Sequence, residues 1–307
     1  MKQPLIGRII AVVATVALVA LTATACATKP GGPPTTSVAS PSPTMQDAFA
    51  AAITALETKY DARVGVSIFD LGDGRAFGNR EDERFGFASS VKVLIAAVVL
   101  RTLSQSERAE KLHWTQADID RAGYAPVTSE HMADGMTIDE LAEASVRTSD
   151  NVATNLLLSR LGGPSAVSRA FASFGDATTK LTKSEPELNS ITPSSPDNTT
   201  TPKAFAADLH SLFAGSALTD EQKTTLLYWM SDNATGDTLI RAGAPDSWSV
   251  ADKSGGAGGI RNDVAVVTPP GRPGILVVIL TQRNDPQMKY DDALIARTAE
   301  AAFSLLH

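Results

Sequence analysis

Four short segments carry residue types that could do covalent chemistry. In Phe87-Ala-Ser-Ser-Val-Lys-Val-Leu-Ile-Ala-Ala-Val-Val-Leu100, Ser89 and Lys92 stand three apart at the start of an apolar run. That spacing puts both side chains on one face of a helix. A serine hydroxyl is a weak nucleophile until a base takes its proton, and a buried lysine with a depressed pKa can be that base. The N-terminal end of the helix dipole would favour the developing negative charge on Ser89. The same letters also describe a capping serine beside a solvated lysine. The apolar octet Val93 to Leu100 argues against that reading, because so greasy a helix is buried and carries its first turn inward.

Ser-Asp-Asn occurs twice, at 149–151 and 231–233, so the tripeptide alone decides nothing. The first copy opens the helical run Val152 to Leu158 and could present Ser149 and Asn151 to a cleft. The second precedes Ala234-Thr-Gly-Asp237 and reads as a turn, since all three residue types form turns and caps. Glu185-Pro-Glu-Leu-Asn189 lies in a stretch from Ser184 to Pro202 rich in Ser, Thr and Pro, which reads as a loop. Loops of that length inside a compact domain often carry function, although a lone loop acid is by default exposed. Asp252-Lys-Ser-Gly-Gly256 follows a strand and ends in glycines that let a ligand or another backbone come close. Lys253 and Ser254 there suggest an edge that binds an anion.

The elements that must position these groups follow an α+β pattern. Met45 to Glu57 has helical spacing, Arg63 to Asp70 and Arg75 to Gly78 read as a hairpin, and strands return only at 248–253, 262–267 and 275–281 before a last helix over Asp291 to Leu306. Both ends of the chain thus supply strands and the middle supplies helices. This predicts a five-stranded antiparallel sheet flanked by helices, with an all-helical subdomain inserted: an α/β part over about 45–85 and 230–307, a helical part over about 86–229.

The 307 residues carry 27 Lys+Arg and 34 Asp+Glu, a net charge of −7 that argues against nucleic acid as a partner. Cys26 is the only cysteine and the four histidines are scattered, so no Cys-based metal site is expected and a zinc hydrolase is a poor reading. The reading calls for no metal and no cofactor. Lys2, Arg8 and the uncharged run Ile9 to Thr28 match a secretory signal over residues 1–25, with a single spanning helix as the alternative. Ala23-Thr-Ala-Cys26 resembles a bacterial lipobox, by which Cys26 would carry lipid and hold the protein at the outer face of the cell membrane; a secreted product starting near Cys26 is the other outcome. Residues 26–44 form a Pro/Ser/Thr-rich spacer, and residues 45–307 the catalytic domain.

SxxK, SDN, ExxLN and KSG occur in this order at intervals of 60, 36 and 68 residues, from Ser89 to Ser149 to Glu185 to Lys253. Together with Tyr124-Ala-Pro-Val-Thr128, Asp134-Gly-Met-Thr137, Thr199-Thr-Thr-Pro202 and Asn262-Asp263, they resemble the class A serine β-lactamases from about Met45 to the C terminus. The resemblance implies Ser89 as nucleophile, Lys92, or Glu185 through a water, as its base, and Ser149, bonded to Lys253, as donor to the lactam nitrogen. It further implies an oxyanion site at Ser89 and Gly256, Asn151 and Tyr124 on the substrate side chain, and Ser254, Lys253 and Arg261 on its carboxylate. Glu185 and Asn189 would hold the water that releases the product. A small-molecule β-lactam would be the substrate of a monomer. The family usually ties the Glu185 loop with an Arg–Asp ion pair, but Lys183 and Asn198 stand in those places, with Asp197 adjacent as a substitute, so the clamp is expected to be weaker. Ala88 precedes the nucleophile where many relatives have Cys, and the link from Gly256 to Arg261 is one residue short. The rivals are a D-Ala-D-Ala peptidase, which lacks the releasing carboxylate, and a non-hydrolytic β-lactam-binding lipoprotein. A Ser-His-Asp esterase is weaker still, since no GxSxG elbow is present.

Overall fold

A computed structural model describes residues 43–306; the signal segment, Cys26 and nearly all of the spacer lie outside the described residues. The described residues open with helix α1 (Pro43–Tyr60), two residues earlier than the apolar pattern suggests, and continue into β1 (Ala62–Asp70) and β2 (Ala76–Asn79). The helical middle includes α2 (Lys92–Thr102), α3 (Ile138–Arg147), α4 (Asn151–Arg160), α5 (Pro202–Phe213) and α6 (Asp220–Met230). Strands β3 (Ser249–Ala257), β4 (Ile260–Thr268) and β5 (Ile275–Arg283) follow, then helix α7 (Asp292–Phe303).

The five strands form one antiparallel sheet in the order β2-β1-β5-β4-β3, with Val66 opposite Ile279 and Lys253 opposite Val264. The ends of the chain meet at its centre, where β1 pairs with β5. Both faces of the sheet are covered, and period-two alternation along β5 divides its residues between them. Ile275, Val277 and Ile279 pack with Phe49 and Ile53 of α1 and Ile295 and Phe303 of α7. Leu276, Val278 and Leu280 pack with Phe85, Phe87 and Phe205 on the helical side. Gly65 on β1 is needed there, since a Cβ would stand 2.5 Å from the Phe85 ring and 2.7 Å from Pro202.

α2 runs through the helical core, and all eight residues from Val93 to Leu100 are buried. Each large side chain so buried contributes about 1.5–3 kcal/mol, which fixes where the first turn of α2 must lie.

Candidate active site

Ser89 sits in a short 3-10 turn, Ala88–Val91, that leads directly into α2. Ala88 holds φ +45°, a left-handed conformation that costs a non-glycine residue about 1–2 kcal/mol. The sheet holds the turn in place: Asn262 Nδ2 donates to the carbonyls of Gly86 (2.7 Å) and Phe87 (2.9 Å). β3 passes so close that a Cβ on Gly255 would stand 2.9 Å from Phe87 O and 3.1 Å from Ser89 N. The sequence expectation of close backbone approach at these glycines is met at Gly255.

Beneath Ser89 lies a buried ion pair. Lys92 Nζ is 2.9 Å from Glu185 Oε1, with both side chains fully buried. Ser89 Oγ donates to the same Oε1 at 3.2 Å. Burial pushes the Lys92 ammonium below its ordinary pKa, and the Glu185 carboxylate offsets that only in part. Lys92 Nζ also donates to Ser149 O (2.8 Å), Asn151 Oδ1 (2.7 Å) and, more loosely, Ser149 Oγ (3.4 Å). Glu185, a loop acid that composition would leave exposed, is 2% exposed. Asn155 holds it: Asn155 Nδ2 donates to Glu185 O and Glu185 N to Asn155 Oδ1, both at 2.9 Å. Asn189 Nδ2 donates to Glu185 Oε2 at 2.7 Å. Its Oδ1 is buried without a protein partner, an acceptor left for a bridging water.

The first Ser-Asp-Asn divides its labour. Ser149 has φ +61°. Asp150 caps α4 through Ala153 N and accepts from the N–H groups of Val127 and Thr128, which fixes the segment that carries Tyr124. Asn151 N donates to Tyr124 O at 2.8 Å, and its Nδ2 to Ala122 O at 2.9 Å. One amide hydrogen of Asn151 therefore remains for a ligand.

Lys253 is fully buried on β3, and its Nζ donates to Ser254 O at 2.7 Å. The Ser149–Lys253 hydrogen bond that the resemblance implies is absent among the described residues; the ammonium facing Ser149 is that of Lys92. Burial first, and then the Lys92 charge, push Lys253 down to about 7. Ser254 Oγ shares a 2.6 Å hydrogen bond with Thr235 Oγ1. Arg261 pairs with Gly256 across the short β3–β4 turn, so the missing residue does not displace it from the cleft. Its Nε donates to Asp292 Oδ1 at 2.7 Å, and Asp292 Oδ2 accepts from Thr238 at 2.6 Å.

These groups surround a cleft of about 510 Å³. Ser89, Tyr124, Ser149, Asn151, Asn189, Ser254, Gly256 and Arg261 line it, while Lys92, Glu185 and Lys253 lie buried behind it. Tyr124 is 53% exposed at the mouth. The loop that carries Glu185 is tied without an ion pair at the expected places. Asn198 Oδ1 accepts from the backbone N–H groups of Thr182 (3.0 Å) and Lys183 (3.3 Å), while Lys183 and Asp197 are exposed. Asn155 was not singled out in the sequence, although its place one helical turn after Asn151 on a buried helix was a signal. Thr235, Tyr290 and Asp292 gave none, because only the fold brings them to β3 and β4.

Comparison with known proteins gives the family. The model of the β-lactamase enzyme family matches residues 48–306. A β-lactamase of Bacillus amyloliquefaciens is 44% identical over 248 residues, covering 80% of each chain. One from Amycolatopsis lactamdurans is 41% identical over 267 residues, 87% of this chain and 86% of that one. Among solved structures, a class A β-lactamase from Clostridium kluyveri aligns with a TM-score of 0.81 at 40% identity, over 84% of this chain and 98% of that one. The β-lactamase of Streptomyces albus G gives 0.81 at 39% over the same shares. With Ser89 set over a buried lysine–glutamate pair in a cleft lined by Arg261 and backed by Lys253, and relatives that span nearly all of the described residues, the chain belongs to the class A β-lactamase family.

Proposed function

We propose that the protein hydrolyses β-lactams through an acyl-enzyme on Ser89, with Glu185 priming the water that releases it. The observation that carries this reading is the single carboxylate oxygen, Glu185 Oε1, held 3.2 Å from Ser89 Oγ and 2.9 Å from Lys92 Nζ. Ser89 Oγ attacks the lactam carbonyl and gives up its proton to this buried base cluster. The direct Ser89–Glu185 contact favours the carboxylate as first acceptor, while the lowered pKa of Lys92 keeps the lysine available for the same task. The oxyanion is met by the N–H groups of Ser89 and Gly256, on two stretches of backbone that the absent Cβ of Gly255 lets lie together. The lactam C–N bond then breaks, and Ser149 delivers a proton to the nitrogen, resupplied from Lys92.

Ser254, Lys253 and Arg261 bind the substrate carboxylate, the arginine by its two-pronged donor geometry. Asn151 offers its free amide hydrogen to the substrate side chain, and Tyr124 packs at the mouth. For release, water held by Glu185 and the unpartnered Asn189 Oδ1 loses a proton to Glu185 and attacks the ester carbonyl, and Ser89 leaves with its hydroxyl restored. A well-placed general base of this kind is worth about 10²–10⁴ in rate, which separates a hydrolase from a protein that stays acylated. Purified residues 45–307 are expected to turn over nitrocefin and the Ser89→Ala variant to be inactive; turnover by both, or by neither, would refute the reading. We further infer export with a lipid on Cys26. Palmitate labelling lost on Cys26→Ala is the expected result, and no label on the wild type would end that idea.

A further inference from the structure

Tyr290 stands at the carboxylate corner and has no part in the reaction as described. It comes from the segment between β5 and α7, and its N–H donates to Gly258 O at 3.2 Å, which pins it to the β3–β4 turn. Its half-buried ring lines the cleft. The Arg261 guanidinium lies 4.8 Å from the ring centroid, and Lys289 Nζ lies 5.7 Å from it. Since Arg261 Nε is taken by Asp292, the guanidinium is held at one edge by a carboxylate and over one face by an aromatic ring. Only its terminal nitrogens are left for a ligand.

The neighbouring glycine has the same explanation. Gly256 does not adopt a left-handed conformation, so its backbone tolerates any residue. Space is what a side chain would contest: a Cβ there would stand 3.0 Å from Arg261 Nη1 and 3.2 Å and 3.3 Å from two atoms of the Tyr290 ring, so those two neighbours would have to give by a few tenths of an ångström. The wall volume that a residue at 256 would supply from β3 is supplied by the adjacent Tyr290 ring.

We propose that Tyr290 is a positioning and specificity residue: its ring fixes Arg261 for β-lactams that bear a free carboxylate beside the lactam nitrogen, and fills the wall next to Gly256. The proposal rests on the hydrolytic reading above. The experiment is steady-state kinetics on benzylpenicillin and on its methyl ester for Tyr290→Ala, Tyr290→Phe, Gly256→Ala and the double variant Gly256→Ala with Tyr290→Ala. Loss of the ring is expected to raise KM for the acid ~5-fold, the scale of a partly desolvated cation–π contact, with kcat changed less than about twofold and KM for the ester unmoved. Tyr290→Phe keeps the ring and is expected to behave as wild type. Gly256→Ala pushes both neighbours and should raise KM for the acid in the wild type, but much less in the Tyr290→Ala background. Equal shifts on acid and ester, a Phe variant as impaired as Ala, or strict additivity would each overturn the proposal. Failure of the wild type itself to turn over benzylpenicillin would remove the hydrolytic reading first, and is told apart because no variant is involved.

Discussion

The two copies of Ser-Asp-Asn, at 149–151 and 231–233, share three letters and almost nothing else. In the first, the left-handed residue is Ser149 at φ +61°; in the second it is Asp232 at φ +51°. That one-residue shift aims the motifs differently. Ser149 faces the cleft within 3.4 Å of Lys92 Nζ, whereas Ser231 Oγ donates back to Leu227 O at the end of α6. Asn151 braces the buried lysine; Asn233 braces a strand, its Nδ2 on Asp252 O and its Oδ1 on the N–H and hydroxyl of Thr235. The second motif thus sets the register of β3 and the posture of Thr235, which in turn bonds Ser254. Residue types state what a segment is able to do, and backbone conformation decides which atom reaches the substrate.

The comparison breaks most easily at the serines. Ser149→Ala is expected to lower kcat/KM for nitrocefin by about 10²–10⁴, the range for a lost proton-transfer group, and Ser231→Ala to change it less than about twofold. Similar losses in both would mean that the second motif also touches the chemistry. The asparagines give a smaller and different effect. Asn233→Ala removes the donor from the buried Asp252 carbonyl and should cost about 1–3 kcal/mol of stability, read as a lower urea midpoint; an unchanged midpoint would show that Asn233 does not hold β3.

pH sharpens the contrast between the two ammonium groups. Lys253 titrates near 7 against an ordinary 10.5. Above about pH 7 the folded protein has lost a proton that the unfolded chain keeps until near 10.5. This group therefore makes stability rise with pH across that window. Binding of an anionic substrate wants the charged form, so kcat/KM for benzylpenicillin should fall above about pH 7, where that for its methyl ester does not. Parallel profiles for acid and ester would take Lys253 out of carboxylate binding.

Much of this was legible in the sequence, for reasons particular to each segment. The apolar octet after Lys92 could only be a buried helix, and that placed Ser89. β3 to β5 announced themselves by β-branched runs between glycine and proline turns. The illegible parts are those in which one element borrows from another remote in the chain. Glu185 looked like an exposed acid because its burial depends on Asn155, 30 residues away. The loop clamp looked broken because its ion pair is missing from the letters, yet Asn198 accepts backbone N–H groups that no side-chain pattern displays. Tyr290 and Asp292 reach Arg261 only through the β4–β5 pairing.

The central claim is that Glu185 is needed to free Ser89 from its ester. The most direct test is intact-protein mass spectrometry of wild type and Glu185→Gln after brief exposure to benzylpenicillin. The account predicts unmodified mass for the wild type and a persistent adduct of one penicillin mass on Ser89 in the variant. A variant that clears the adduct as fast as wild type would contradict it.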